Sequence, residues 1–416
     1  MVFVGTSDLS GHFRGKSFLA ADLPKRLERG VGLAPTNLYL SAFGAIHFTS
    51  FGTVGEVFLI PDPSTEVRVV FEGGGAAEHF VIADLQTITG EPWSFCPRQV
   101  LRRALERLER ETGLMLLATF EQEFVYSGVP AHPMQPYELD AYRRQGVFGE
   151  MLVGALRAAG ISPDSFLAEF GAQQYEITTD PVAGLRAADE AVITREMTQA
   201  VAFRQGARVS FAPKPTAHGT SNGTHIHFSF LDGERRPVLH APQRPLELAP
   251  LGASFLAGLL EHLPALCAVT APSVASYYRL RPHHWAPTHA DVGALDRGTA
   301  VRVCPARGPD ASSRARQYNL EFRVADATAN PYLALALMLQ AGLDGVARGL
   351  DLGAHRPRPL PTSLGEALTL LEGTREARDW LGEDLLAGYL AMKRAEIAAL
   401  EALDENEICR RYAEVY

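Results

Sequence analysis

The clearest alternation of apolar and polar positions falls in residues 225–230. Ile226, Phe228 and Phe230 share one face of a strand, and His225, His227 and Ser229 share the other. Taken alone, this reads best as two satisfied histidines on a half-exposed strand. The same pattern recurs, however. The apolar run 114–120 leads into Glu121 and Glu123 on one strand face, and residues 320–324 place Glu321 and Arg323 two apart. Glu169 and Glu176 frame a further segment, whose odd spacing across Gly171 implies two adjacent strands or a bulge.

Around these strands the pattern changes period. Residues 1–95 read as short strands with one helix, the strands falling at 2–4, 45–48, 57–60 and 67–71 between Gly and Pro turns. The segment Pro92 to Pro97 marks a boundary. Residues 98–112 then form an amphipathic helix, with Val100, Leu101, Leu105 and Leu108 on one stripe. Helices are also expected at 138–159, 185–205, 332–343, 364–371 and 384–403. The segment 333–343 is the longest apolar helical stretch this reading picks out, and it is too short to span a bilayer.

Carboxylates paired on one strand face repel unless a positive charge lies between them. Five such acids (Glu121, Glu123, Glu169, Glu176 and Glu321) with His225 are most simply read as a divalent-cation site. Oxygen-rich ligands favour magnesium or manganese, whose open positions usually go to phosphate oxygens.

Composition narrows the class. The chain has 416 residues, 46% of them hydrophobic, enough for two domains. A net charge of −9 without a basic block gives a nucleic-acid role no support. Only Lys16, Lys25, Lys214 and Lys393 of the 39 basic residues are lysine, a bias that weakens any argument from arginine clusters. The four cysteines, Cys96, Cys267, Cys304 and Cys409, lack zinc spacing, and no basic-then-apolar leader opens the chain. A reduced, cytoplasmic protein with no membrane role is the expectation.

The order of these words resembles the glutamine synthetase superfamily of ATP-dependent carboxylate–amine ligases. The words are Asp8…Lys16, Glu121-x-Glu123, Glu169-x6-Glu176, Lys214-Pro…His225-x-His227, Arg279-Leu-x-Pro, Asp296-Arg297…Arg302 and Glu321-x-Arg323…Asn330-Pro. The resemblance runs over nearly the whole chain and implies an α+β fold. A small N-terminal β-grasp-like domain (1–95) would precede a catalytic domain (96–416) with an antiparallel sheet flanked by helices. It implies ATP and two or more Mg2+ or Mn2+ ions. Glu123, Glu169 and Glu176 would hold one ion, and Glu121, His225 and Glu321 the second. His227, Ser229 and Arg302 would serve the nucleotide. Arg279, Arg297 and Arg323 would carry catalysis, with Arg279, Thr220, Ser221 and Trp285 lining the substrate. A ring-shaped homo-oligomer is also implied.

The departures from the family pattern matter as much. Ammonia-using members carry a glutamate in the loop after Arg-Leu-x-Pro; here that loop holds Trp285. They also carry an aspartate in the small domain, where this chain has Ser41-Ala-Phe-Gly-Ala45 without an acid. An apolar, aromatic wall favours an organic amine with a hydrocarbon body over ammonium. The expected activity is therefore an ATP-dependent ligase joining the γ-carboxylate of glutamate, or a close analogue, to an amine other than ammonia. The alternatives are an ordinary glutamine synthetase in which Glu56, Asp62 or another acid substitutes, a guanidino-phosphotransferase, or a non-catalytic regulatory paralogue.

Overall fold

In the computed structural model, residues 1–46, 51–52, 54–72, 74–129 and 135–416 are described. The expected strand at 45–48 falls partly outside them. Within them, Ile46 makes only an isolated bridge to Leu40. The other expected strands of the first domain are present as Val2–Ser7, Val57–Pro61 and the short Val67–Val69. They join Phe13–Phe18, Val31–Leu33 and Glu78–Gln86 in a six-stranded sheet, with Val2–Ser7 and Glu78–Gln86 running parallel and the other pairs antiparallel.

Among the described residues, the second domain holds two larger sheets and a two-stranded antiparallel pair, His289–Ala290 with Arg358–Pro359. One larger sheet runs Arg208–Ser210, Gln122–Ser127, Gln174–Thr179, Pro163–Ala168; the other runs Val182–Ala183, Met115–Phe120, Ile226–Leu231, Leu320–Phe322, Val301–Val303, Val292–Ala294. Its last two strands pair in parallel. The chain passes from one sheet to the other between Phe120 and Gln122, so Glu121 stands at the crossing.

Helices cover these sheets. The long segment at 138–159 is two helices, Leu139–Arg144 and Gly146–Ala158, because Gln145 leaves helical geometry just before a glycine. The helix expected at 384–403 is present as Glu383–Leu400, and a further one, Glu405–Val415, follows it. The helix after Asn330 runs from Pro331 to Arg348, longer than its apolar pattern indicated. The Asn330 side chain caps it by accepting from the amides of Tyr332 and Leu333, and Gly349 ends it in a left-handed conformation.

The most apolar helix, Pro250–Thr270, was not expected from the pattern, and it replaces 333–343 as the longest such segment. Its length and composition would suffice for a membrane span, but 83% of its apolar window is buried inside the protein. It packs against Pro331–Arg348 so closely that a Cβ on Gly258 would come within 2.5 Å of the Gly345 nitrogen. This is a core helix pair.

The two domains are joined by a buried ion cluster. Arg98 donates to Asp189 through Nε and Nη2 at 2.9 Å each and to Asp62 at 2.8 Å, and it lies 3.0 Å from Asp84. Tyr332 donates to Asp189 at 2.7 Å. Asn330 reaches the other way, donating to the carbonyl of Asp8 at 2.8 Å.

Candidate active site

Strand pairing explains why residues far apart in the chain converge. Glu176 stands directly opposite Glu123, and His227 directly opposite Glu321, which also faces Arg302. At the crossing, the amide of Glu121 donates to the carbonyl of His225 at 2.9 Å. The Glu121 carboxylate lies 3.1 Å from His225 Nδ1 and 2.9 Å from His227 Nε2. Glu321 accepts from Arg302 at 2.6 Å and also from Arg323, and lies 3.6 Å from His225. Glu123 accepts from the amide of Gly223 at 2.7 Å. Tyr137 donates its hydroxyl to Glu169 at 3.2 Å.

The electrostatics divide these acids. Burial would raise Glu121 and Glu321, but the histidines on Glu121, and His225 and Arg323 beside Glu321, hold both below the usual carboxylate range. His227 is pushed well above the ordinary histidine value by Cys304 and Glu121, against the effect of its burial. Glu176 goes the other way. Burial, then the charges of Glu121, Glu123 and Glu169, push it up to about 10. Burial and Glu123 raise Glu169 to about 7.

Crowded acids raised in this way fit a bound cation, which would replace the retained protons. At this site two groupings of donor atoms, Glu121–Glu176–His225 and Glu121–His227–Glu321, each lie within 4.8 Å. Glu121 belongs to both, and His227, expected beside the nucleotide, is drawn into the second. Glu123 and Glu169 line the same cavity as Glu176 but stand outside these two sets.

Two cavities meet here. The larger, about 670 Å³, is lined by Glu121, Glu123, Glu169, Glu176 and His225, by Arg279, Arg297 and Arg323, and by Ser221, His284 and Trp285. The second, about 430 Å³, is lined by His227, Ser229 and Asn319 among others. Glu121, Asp164 and Thr178 line both. Ser229 Oγ is buried and has no hydrogen-bond partner among the described residues, an opening for a ligand atom in the second cavity. Three expected residues line neither: Arg302 and Glu321, paired with each other, and Thr220, exposed and close over Gly171. Arg279 is 3% exposed and donates to the carbonyls of Val324 and Arg323 at 2.8 and 2.9 Å. A Cβ on Gly223 would meet its guanidinium at 2.8 Å, so the glycine is what lets the loop lie against it.

The pattern of the sequence missed several residues of this site. Asp164, Thr178, Gln174 and Asn319 carry no periodic signal. Asn222 holds the loop by donating to the carbonyls of Ser210 and Ala212 and accepting from Gln174. Tyr137 and Phe170 form an aromatic shelf with Trp285, with ring centroids 5.6 Å apart for Tyr137–Phe170 and 5.8 Å for Phe170–Trp285.

Comparison with known proteins identifies the family. Residues 1–93 match the glutamine synthetase N-terminal domain and residues 94–412 the glutamine synthetase catalytic domain. The gamma-glutamylpolyamine synthetase GlnA3 of Streptomyces coelicolor is 32% identical over 97% of this chain and 91% of its own. The gamma-glutamylanilide synthase of an Acinetobacter species is 29% identical over 96% and 87%. A solved structure described as a novel glutamine synthase homolog superposes with a TM-score of 0.95 at 42% identity, covering 100% of this chain and 98% of that one. With both domains matched over nearly its whole length, the chain belongs to the glutamine synthetase family of ligases.

Proposed function

We propose that this enzyme joins the γ-carboxylate of glutamate, or a close analogue, to the nitrogen of an organic amine, with ATP converted to ADP and phosphate. The observation that carries the choice of amine is the shelf of Tyr137, Phe170 and Trp285 at the mouth of the acidic cavity. Trp285 occupies the loop position where ammonia-using members hold an acid. Asp62 does not replace the missing small-domain acid within this chain, because it is committed to Arg98. The names of two relatives, a polyamine synthetase and an anilide synthase, support the same reading.

The chemistry follows from the charges. A carboxylate oxygen attacks the γ-phosphorus and ADP leaves; the amine nitrogen then attacks the acyl phosphate, phosphate leaves, and the amine gives up its proton. Arg279, Arg297 and Arg323 line the cavity where the first step needs positive charge, and a planar guanidinium suits both carboxylate and phosphoryl oxygens. His227 and Ser229 line the second cavity, which would take the nucleotide. Divalent cations held by the acid and histidine sets would add the positive charge that brings two anions together.

The deciding experiment measures ATP consumption with glutamate against a panel of amines that includes ammonium, with products read by mass spectrometry. A γ-glutamyl amide of an organic amine, formed more efficiently than glutamine, is the expected result. Glutamine as the best product overturns the amine assignment and leaves an ammonia-using synthetase. A ring-shaped homo-oligomer accompanies this reading, and an active monomer in solution scattering contradicts it.

A further inference from the structure

The loop that carries Trp285 is held in an unfavourable backbone conformation. His283 and Trp285 have φ of +67° and +56°, in the left-handed region that side chains with a Cβ avoid. Such a loop keeps its shape only where its surroundings fix it. Three contacts do so. Arg281 pairs with Glu405 at 2.9 Å on the surface, where an ion pair is screened and weak. Trp285 rests on Phe170. The third contact comes from beneath: Lys214 Nζ lies 3.3 Å from His284 Nδ1.

Lys214 is only 1% exposed. Its ammonium donates to the carbonyl of Gly219 at 2.5 Å and lies 3.5 Å from Ser221 Oγ. Among the described residues no carboxylate pairs with it. A buried, unpaired ammonium is a cost to folding, so stability does not account for it. Its contacts do. One group bonds the loop holding Ser221 and the loop holding His284 and Trp285, and all three of those residues line the larger cavity.

We propose that Lys214 is a positioning residue for the amine. It fixes the Trp285 loop through His284 and holds that loop at a set distance from the Ser221 loop. His284 lies below the usual histidine range, chiefly through burial and then through Lys214 and Arg281, which keeps the ring neutral and its Nδ1 able to accept. The kinetic half of the proposal rests on the amine reading above; the tether does not.

The test uses Trp285 as its own reporter. Trp93 and Trp380 are 6% and 7% exposed and Trp285 is 69% exposed, so iodide-quenchable emission comes from Trp285. Lys214→Met and His284→Leu are each expected to raise the quenching constant and shorten the anisotropy decay, and the double variant to do no more than either. Lys214→Met should melt no lower than the unaltered protein. With the best amine, KM should rise about fivefold, the equivalent of one lost hydrogen bond, while the KM for ATP holds. Unchanged quenching in both variants, or additive effects in the double, overturns the tether. Should quenching change as expected while the KM for every organic amine stays fixed, the kinetic half falls and the tether stands. The amine assignment itself is decided separately, by the product screen on the unaltered protein.

Discussion

Glu176→Gln is expected to stabilise the metal-free protein, although it removes a residue from the most acidic part of the site. An unperturbed glutamate titrates near 4.5, whereas Glu176 is pushed up to about 10 by burial and by Glu121, Glu123 and Glu169. At pH 7 the folded side chain therefore keeps a proton that the unfolded chain has released. The folded state binds more protons, so stability falls as pH rises from about 4.5 toward 10. Each pH unit is worth about 1.4 kcal/mol, so by pH 7 the cost is about 3 kcal/mol. Glutamine keeps the shape and does not titrate, so most of this should return. A gain of that size raises the melting temperature by several degrees.

Differential scanning calorimetry in chelator, at pH 5 and pH 7.5, measures it. The advantage of the variant should be small at pH 5 and grow with pH. Adding Mg2+ or Mn2+ should raise the melting temperature of the unaltered protein, because a ligand that binds only the folded state stabilises it. That rise should shrink in the variant. A variant that melts lower than its parent in chelator at pH 7.5, or whose advantage is the same at both pH values, refutes the electrostatic account.

Other changes test other parts of the site. Glu123→Ala or Glu169→Ala should abolish ATP turnover with any amine in a folded protein; parental turnover at limiting metal would remove these residues from the cation site. Trp285→Glu should lower kcat/KM for the best organic amine five- to tenfold, since a substrate covering about 50 Å² of the ring gains about 1 kcal/mol. It should raise activity with ammonium only slightly, and steady-state kinetics with both substrates decides the matter. Arg98→Met should destabilise the chain by about 3–5 kcal/mol in urea melts, because Asp189 and Asp62 lose their cation and Asp84 keeps only Arg102. A near-neutral value would mean that the two domains are held by apolar packing instead.

The acids of this site were legible because a strand places every second side chain on one face, so Glu121-x-Glu123 and Glu321-x-Arg323 announce themselves locally. Their partners were not, because strand pairing joins residues distant in sequence: nothing near Glu176 indicates that it will face Glu123. The change of sheet at Glu121 was hidden for the same reason, since the apolar run 114–120 leads into Glu121 and Glu123 with no turn residue between. Pro250–Thr270 escaped notice because it is apolar nearly all round and has little period to detect. The aromatic shelf draws one residue from each of three segments, and only Trp285 stood out, as a departure from a family word. Lys214 was visible as part of such a word, but its role depends on a loop 70 residues away.

The placement of charge explains how one cleft can serve two anions and an amine. Glu321 is already matched by Arg302 and Arg323, and Glu121 by its two histidines. Glu123, Glu169 and Glu176 have no ion pair among the described residues, so the uncompensated negative charge gathers on their side of the larger cavity. That side attracts cations, and an amine arrives as a cation. A bare acidic wall would draw ammonium as readily as any organic amine, and charge alone could not separate them. The shelf stands beside this charge, with Tyr137 bonded to Glu169 and Phe170 next in sequence. An amine with a hydrocarbon body can place its nitrogen among the acids and its carbons on the rings, whereas ammonium gains only the first contact. Selectivity in this arrangement comes from apolar area added next to an attraction that every amine shares. It should therefore track the size of the amine's body more closely than its basicity.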